Sequence, residues 1–227
     1  PAILQDPSLQ GARVLLSVPT LRGIGGQLAD PTARLVELLC DAPARAIYLS
    51  TTGVYGNIRE INETTLAAPV TERQRLRLEA EQAVVRRPWQ SLILRPAAIY
   101  GPGRGAYIAL REGRFPLEGK GSNFISRIHV DDLAAVVAMA LLSEITGVYP
   151  VADCEPCTSR TIAEFCMGLL DVHLTPSVTE AKISETRHFD RRVDGSAIFR
   201  LLGVKLRYPS YRHGIPASLA GEKQEQE

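Results

Sequence analysis

The sequence has few cysteines, no excess of charge of either sign and no long hydrophobic run. Its four cysteines are too few for the disulfide framework of a secreted protein of 227 residues. The 26 basic and 25 acidic residues nearly balance, so no overall field attracts nucleic acid or an acidic membrane surface. The longest apolar run, 133–142, is far shorter than the roughly 20 residues of a membrane-spanning helix. These absences predict a cytoplasmic protein that binds neither nucleic acid nor membranes.

The start of the chain also lacks two features. It begins at Pro1 without a methionine, and no basic segment followed by an apolar one opens it as a secretion signal would. We therefore expect either a chain processed after methionine or part of a longer one.

Short apolar runs alternate with helical patterns over the first two thirds of the chain. The predicted strands are 12–18, 45–51, 90–95 and 147–152, and the predicted helices are 31–40, 71–87 and 129–143. Thr71 and Gln74 form a capping box at the start of the second helix. The third helix is apolar on all sides, which predicts a buried helix. This alternation is typical of parallel βαβ units and predicts an α/β fold with a doubly wound sheet.

Small or polar residues follow three of the predicted strands. The segments are Ser17-Val18-Pro19, Ser50-Thr51-Thr52 and Arg95-Pro96-Ala97. Ligands of open α/β sheets bind beyond the carboxyl ends of the strands, so these segments are expected to line a site. The alternative, for each segment alone, is that such residues merely end a strand.

Three motifs occur in the order and spacing of a known family. They are "YLSTTGVYG" (48–56), "LRPAAIYGPG" (94–103) and "RIHVDDLA" (127–134). Together they resemble the extended and atypical short-chain dehydrogenases/reductases, the NAD(P)-dependent epimerase/dehydratase group, over about residues 12–212. The resemblance implies a Rossmann-type doubly wound parallel sheet, an NAD(P) cofactor and a small-molecule substrate.

The resemblance also implies roles for residues at the strand ends. The cofactor-binding positions are Ser17, Val18, Pro19, Ser50, Arg95, Pro96, Ala97 and Ile99. The catalytic hydroxyl, counted back from "VYG", is that of Thr51, which would orient a substrate oxygen. Tyr55 and Tyr100 are candidates for contact with the substrate and for a replacement acid.

In the family, a tyrosine and a lysine four residues apart act with this hydroxyl, the tyrosine as the acid/base. Alignment of the helix that follows places Arg73 at the tyrosine and Arg77 at the lysine. A shift of two residues places Thr71 and Arg75 there instead. Arginine stays protonated and cannot transfer a proton as tyrosine does, but it could hold a phosphate or a carboxylate. The alternative is that both arginines are solvated and that Arg77 pairs with Glu81.

In the family, a glycine-rich turn holds the pyrophosphate at a helix N-terminus. This sequence has a segment with similar glycine spacing, but at a different distance from the strand and the helix. The segment "GIGGQLA" (23–29) begins four residues after the first predicted strand, and Asp30 and Pro31 start the helix only later. We interpret this segment as a decoy, and the strand at 12–18 as the fourth strand of the family sheet. From this interpretation we expect the chain alone to bind NAD(P) weakly or not at all. We also expect an unpaired strand edge at 12–18 and a homodimer through that edge.

Three further groups have both a functional and a structural interpretation. Cys154 and Cys157 could be one half of a zinc site, but loop cysteines are the simpler interpretation. His129 with two following aspartates could be a catalytic dyad, whereas carboxylates in a first helical turn also act as caps. Four arginines near the presumed cleft could contact an anionic substrate or be ordinary surface residues. They are Arg104, Arg111, Arg114 and Arg127.

The predicted organisation is a partial NAD(P)-binding Rossmann-type domain at 1–152, a small C-terminal substrate lobe at 153–220 and a disordered tail at 221–227. The function implied by the resemblance is that of an NAD(P)-dependent oxidoreductase or epimerase-like protein with a degenerate Tyr/Lys site. The alternative is a non-catalytic dinucleotide- or metabolite-binding regulatory protein on the same fold.

Overall fold

Short strands and helices alternate along the computed structural model, which describes residues 7–23, 25–115, 117, 120–171 and 190–224. The strands are β1 (Arg13–Leu16), β2 (Leu21–Arg22), β3 (Leu28–Ala29), β4 (Arg45–Leu49), β5 (Glu60–Ile61), β6 (Gln90–Pro96), β7 (Ala98–Tyr100), β8 (Phe124–Ile125), β9 (Arg127–His129), β10 (Gly147–Val151), β11 (Cys157–Thr158) and β12 (Arg192–Val193). The helices are α1 (Thr32–Leu39), α2 (Glu72–Val85), α3 (Ala106–Arg111), α4 (Val130–Leu142), α5 (Ser159–Leu170), α6 (Ser196–Leu202) and α7 (Tyr211–Gln224).

Four parallel strands form the central sheet, in the order β1-β4-β6-β10. In its register Leu15 lies opposite Ile47, and Ile47 lies opposite Leu92. Ile47 and Leu92 are fully buried, as expected for parallel strands that are covered on both faces. All four strands correspond to the predicted ones, with ends that differ by at most three residues. The predicted α/β fold with a parallel sheet is confirmed.

Helices cover both faces of this sheet because successive side chains of a strand point to opposite sides. Tyr48 packs with Val36 of α1 and Val84 of α2 on one face. Its neighbour Ile47 packs on the other face with α4 and α6, where Val136 is fully buried. The carboxyl ends of β4 and β6 therefore emerge between two helical layers.

Helix α4 corrects one prediction. The uniformly apolar sequence predicted a helix buried on all sides, but only one face of α4 packs on the sheet. On the opposite face Val130, Met139 and Leu142 are 40%, 42% and 74% exposed. Composition alone could not separate the two faces because both consist of aliphatic residues.

The start of α2 confirms the predicted capping box. The Thr71 side chain accepts a hydrogen bond from the Gln74 backbone N–H, and the Gln74 side chain accepts one from the Thr71 backbone N–H. Such a cap satisfies two of the free donors at a helix start, so it fixes the residue at which α2 begins. The side chains of the next two turns are thereby set in register against the strand ends.

The predicted lobe at 153–220 packs against elements that precede it in the chain. Helix α5 packs against α3, and Tyr107 and Ile162 belong to one buried apolar cluster. Helix α6, in contrast, packs on β10 and α4 of the sheet layer. The boundary at residue 152 stays a prediction. The predicted disordered tail is wrong for residues 221–224, since α7 continues through Gln224, and 225–227 lie outside the described residues.

Strand β1 forms one edge of the sheet as described, as the sequence predicted. Leu15 on this strand is 43% exposed. The guanidinium of Arg13 donates hydrogen bonds to the carbonyls of Leu141 and Ser143 and pairs with Glu144. These contacts tie the start of the edge strand to the end of α4.

Candidate functional site

A cavity of about 630 Å³ lies beyond the carboxyl ends of β4 and β6, and we call it the strand-end cavity. Its walls come from the segment after β4, the first turns of α2, the segment 96–100 and the segments around β8 and β9. Ile215 of α7 closes part of the opposite side. This is the position at which ligands of open α/β sheets bind.

Thr51 is held at the mouth of this cavity by its own turn. Its backbone is extended, and its Oγ1 accepts a hydrogen bond of 3.0 Å from the Gly53 backbone N–H. A Cβ at Gly53 would lie 3.2 Å from Thr51 Cγ2, so a larger residue there would crowd the threonine. The bond to Gly53 uses an acceptor lone pair of the hydroxyl, so its proton can be donated to a ligand oxygen.

Arg73 lies in the first turn of α2 and lines the same cavity. Its side chain is exposed, and within the described part of the chain its guanidinium forms no hydrogen bond or ion pair. The residue at the predicted tyrosine position is thus a cation that faces the cavity. The shifted alignment fits less well, since Thr71 caps the helix and exposed Arg75 donates to the Val70 carbonyl.

Arg77, one turn later, is buried and points between the strand ends. Its Nη1 donates to the Val18 carbonyl at 2.7 Å and to the Tyr48 hydroxyl at 2.5 Å. The same nitrogen lies 3.3 Å from Asp30 Oδ2, and Nη2 donates to Thr20. The interpretation of Arg77 as a solvated partner of Glu81 is therefore wrong. The sequence could not reveal this because the partners lie 29 to 59 residues away.

Glu81 instead holds Arg95 in a buried two-point ion pair. The bonds run from Arg95 Nε to Oε1 at 3.0 Å and from Nη2 to Oε2 at 2.6 Å. Ser50 donates its hydroxyl to the same carboxylate, and the Arg95 guanidinium lies 4.8 Å from the Tyr55 ring centroid. Burial lowers the pKa of Arg95, but its contacts with Glu81 and Tyr55 outweigh that effect and raise it overall. This cluster joins α2 to two strands.

The structure distributes the predicted cofactor-binding residues over two environments. Ser50, Pro96, Ala97 and Ile99 line the strand-end cavity. Arg95 does not line the cavity, because its guanidinium is held by Glu81. Ser17, Val18 and Pro19 lie outside the cavity wall as well, and the Val18 carbonyl accepts a hydrogen bond from Arg77.

The two tyrosine candidates are both enclosed. Tyr100 lines the cavity, but it is 3% exposed, and burial followed by the charge of Asp153 raises the pKa of its hydroxyl. Helix α7 packs on this hydroxyl so closely that a Cβ at Gly214 would lie 2.2 Å from it. Tyr55 is 1% exposed, lies outside the cavity wall and has a pKa raised by burial. Neither hydroxyl is tuned to release a proton near neutral pH.

Arginines dominate the charge of the cavity. Among the described lining residues there are five arginines and no aspartate or glutamate; the arginines are Arg73, Arg77, Arg104, Arg127 and Arg191. Of the four arginines placed near the cleft by the sequence, Arg104 and Arg127 line the cavity. Arg111 pairs with Glu222 and Arg114 with Glu112. Arg191 was missed, since it enters beside β12 and no local motif marks it.

The candidate dyad of His129 and the two following aspartates has a structural explanation. His129 Nδ1 accepts a hydrogen bond from the Asp131 backbone N–H, which caps α4. The carboxylate of Asp132 accepts bonds from the backbone N–H groups of Arg207 and Tyr208. The capping interpretation of this segment is therefore supported by its geometry.

A sequence model of the NAD dependent epimerase/dehydratase family matches residues 29–152, more than half of the chain. The chain belongs to this family. This membership confirms the resemblance that the three motifs indicated. It also confirms NAD(P) as the cofactor implied by that resemblance, since the family is NAD dependent. Within the described residues, no helix is long and apolar enough to cross a membrane.

Two similar proteins share about 30% of the aligned residues with this chain. A 3-diazoavenalumate denitrifying reductase from Streptomyces sp is 30% identical over 151 residues, which are 60% of this chain and 50% of the relative. This chain therefore spans about half the length of that curated relative. A structure of a functionally unknown conserved protein from Silicibacter pomeroyi is 31% identical, with a TM-score of 0.74 over 92% of this chain and 78% of the other.

A second similar structure is that of UDP-glucuronic acid 4-epimerase from Bacillus cereus in complex with UDP-glucuronic acid and NAD. It is 19% identical, with a TM-score of 0.70 over 86% of this chain and 68% of the other. At this identity the likeness shows the fold alone, which agrees with the parallel sheet described above.

The described residues of this family member do not form a cradle for the pyrophosphate of the cofactor. Gly23, Gly25 and Gly26 of the glycine-rich segment lie between the two antiparallel strands β2 and β3 rather than between a parallel strand and a helix. Helix α1 begins at Thr32, and the backbone N–H of Thr32 donates a hydrogen bond to the Asp30 carboxylate. An anion at this helix start would meet a carboxylate, so the segment does not act as the phosphate turn of the family.

Proposed function

We propose that this chain forms the substrate side of an NAD(P)-dependent oxidoreductase or epimerase-like protein of the atypical short-chain reductase branch, with a degenerate Tyr/Lys site. The observation that carries the proposal is the geometry of the strand-end cavity, where Thr51 and Arg73 face one space at the carboxyl edge of the sheet. Family membership supplies the reaction class. The arrangement of the residues supports the roles proposed for them below.

In this proposal Thr51 orients the substrate. Its turn fixes the hydroxyl through Gly53, and a preset donor holds a substrate oxygen without loss of side-chain freedom on binding. Arg73 binds rather than transfers protons, because a guanidinium keeps its proton at any pH at which the protein folds. Arg77 acts indirectly, because its guanidinium fastens α2 to Val18 and Tyr48.

The proposed substrate is a small molecule that carries negative charge. An acid-free wall with several guanidinium groups attracts anions and repels cations. A volume of about 630 Å³ is in the range of ordinary small-molecule pockets.

A second candidate function is a non-catalytic dinucleotide- or metabolite-binding regulatory protein. Arg73 and Arg77 favour it because neither can replace the family acid, and Tyr55 and Tyr100 are enclosed in the core. Loss of a general acid slows a reaction by roughly 10²–10⁴-fold, so the two candidates differ by a measurable residual rate.

The test is NAD(P)H oxidation by the full-length gene product with a panel of carbonyl and sugar-nucleotide substrates, before and after Arg73→Tyr. The proposed enzyme turns over well below the median of about 10 s⁻¹, and Arg73→Tyr raises the rate at least about tenfold by restoring an acid. Thr51→Val weakens substrate binding about fivefold through one lost hydrogen bond. Thr146→Val, an exposed threonine outside the cavity wall, is the control. Substrate binding without turnover in both parent and Arg73→Tyr would favour the regulatory protein.

A further inference from the structure

The five arginines of the strand-end cavity fall into two groups. Arg77 is neutralised by Asp30, and Arg127 donates to the Ile125 carbonyl and to the Cys157 sulfur. Arg191 donates to the Gly56 carbonyl. These three guanidinium groups are part of the protein's own hydrogen-bond network.

The other two arginines, Arg73 and Arg104, have no charge partner among the described residues. The side chains of Arg73 and Arg104 are exposed toward the cavity and, among the described residues, form no hydrogen bond or ion pair. The protein does pair arginines next to this site, as Asp30 does for Arg77 and Glu81 for Arg95. Arg73 and Arg104, in contrast, border a cavity whose described lining residues include no aspartate or glutamate.

Both arginines stand on rigid supports. Arg73 follows the capping box, which fixes the first turn of α2. Arg104 closes a tight turn in which its backbone N–H and C=O each bond to Gly101, at 3.0 and 3.1 Å. The middle of that turn, Gly103, has φ +69 and donates its N–H to Glu222 at 2.7 Å. Side chains on anchored backbone lose less freedom when they bind a ligand.

We propose that Arg73 and Arg104 together bind an oxyanion of the substrate, a carboxylate or a phosphate, in the strand-end cavity. The proposal rests on the proposed function and names the substrate class of the same site. At the position of the family acid, Arg73 then serves recognition, since a guanidinium fork matches the paired oxygens of either group. An anion in a cavity without acidic lining residues is attracted by both guanidinium groups.

The experiment measures binding without any turnover. Isothermal titration of the chain with inorganic pyrophosphate, benzoate and neutral benzamide separates phosphate from carboxylate recognition and from uncharged binding. We expect at least one anion to bind at least about tenfold more tightly than benzamide. Arg73→Gln and Arg104→Gln each weaken that anion about tenfold or more, the usual effect of a charge-assisted hydrogen bond.

Arg75→Gln is the matched control, because Arg75 is exposed on the same helix but donates to the Val70 carbonyl. It changes the dissociation constant less than about twofold. Arg73→Lys and Arg104→Lys keep the charge but lose the fork, so intermediate constants are expected. Thermal melts check that every variant folds.

Three results overturn the inference: no preference for an anion over benzamide, equal weakening by Arg75→Gln, or an effect of only one of the two arginines. Anion binding with the expected variant effects, but without turnover, would contradict the proposed function and leave this inference in place. Turnover without anion preference would do the reverse.

Discussion

Asp30 and Arg77 form a buried ion pair between the loop after β3 and helix α2, with Oδ2 and Nη1 3.3 Å apart and side chains 3% and 10% exposed. The same guanidinium reaches the carbonyl of Val18 and the hydroxyl of Tyr48. Arg77, at the predicted lysine position, therefore joins helix α2 to strand β4 and to the segment after β1. Its consequences are for stability rather than for ligand binding.

Arg77→Ala is expected to lower the free energy of unfolding by about 3–5 kcal/mol, because it leaves the Asp30 carboxylate buried without its charge partner. The sequence allowed Arg77 to hold a phosphate or a carboxylate, but its guanidinium is engaged by Asp30, Val18 and Tyr48. Urea denaturation measures the change. Arg73→Ala, which removes an exposed arginine of the same helix, should stay within about 0.5 kcal/mol of the parent. Equal stability of the two variants would show that Asp30 and Arg77 do not depend on each other.

Asp153 makes stability depend on pH. Burial, the largest cause, raises its pKa to about 7, and within the described residues its Oδ2 has no partner. The unfolded carboxyl ionises near pH 4, so the folded state binds the extra proton between pH 4 and 7. The contribution of this carboxyl to stability is therefore full below pH 4 and is lost as the pH rises through 7.

Asp153→Asn removes this ionisation. We expect the variant to gain stability relative to the parent as the pH rises from 4 to 7, by up to about 4 kcal/mol. Urea midpoints at half-unit pH steps measure the difference. The charged neighbours Arg127, Glu155 and Asp132 are unchanged in the comparison. A constant difference between the two proteins over this range would rule out a raised pKa for Asp153.

The exposed edge of β1 predicts self-association of the 227-residue chain. Leu15 is 43% exposed on a strand that pairs on one side in the structure as described, and such edges pair with other chains. We expect a dimer or a soluble oligomer at micromolar concentration in sedimentation velocity, and a monomer for Leu15→Lys. Leu21→Lys is the control, since Leu21 is 51% exposed on the short β2 strand instead. A monomeric parent chain contradicts the prediction.

The 227-residue chain should bind NAD(P) weakly. The described glycines of the glycine-rich segment, Gly23, Gly25 and Gly26, lie between two antiparallel strands and not at a helix start, where they could hold a pyrophosphate. A dinucleotide at 100 times its dissociation constant would stabilise the fold by about 2.7 kcal/mol and raise Tm by roughly 5–10 °C. We expect a rise below about 2 °C in differential scanning fluorimetry with millimolar NAD or NADP. A full shift would mean that this segment rearranges around the cofactor.

Glu222 fastens α7 to the rim of the strand-end cavity. Its Oε1 accepts from the Gly103 N–H at 2.7 Å and the Tyr107 hydroxyl at 2.6 Å, and its Oε2 accepts from Arg111 at 2.8 Å. Glu222→Ala should lower the free energy of unfolding by about 2 kcal/mol and speed amide exchange at Gly103. Glu222→Gln, which keeps one acceptor, should lose less. Exposed Glu63→Ala is the control, and unchanged exchange at Gly103 in Glu222→Ala would contradict this role.

Features that depend on residues close together in the chain were predicted correctly from the sequence. The capping box of Thr71 and Gln74 spans three residues, and both of its hydrogen bonds are present. The four sheet strands followed from short apolar runs, because full burial on both faces selects such runs. The three motifs identified the family, and they placed Thr51 at a cavity of the expected kind.

Contacts between residues far apart in the chain could not be predicted from the sequence and became visible in the folded protein. Arg77 was assigned to Glu81, four residues away, but it pairs with Asp30 across 47 positions of the chain, while Glu81 holds Arg95. The tail expected to be disordered is helical through Gln224, and its Glu222 reaches a turn 119 residues earlier. The partner of a charged side chain depends on which groups share its buried space, and chain folding, not sequence distance, brings those groups together.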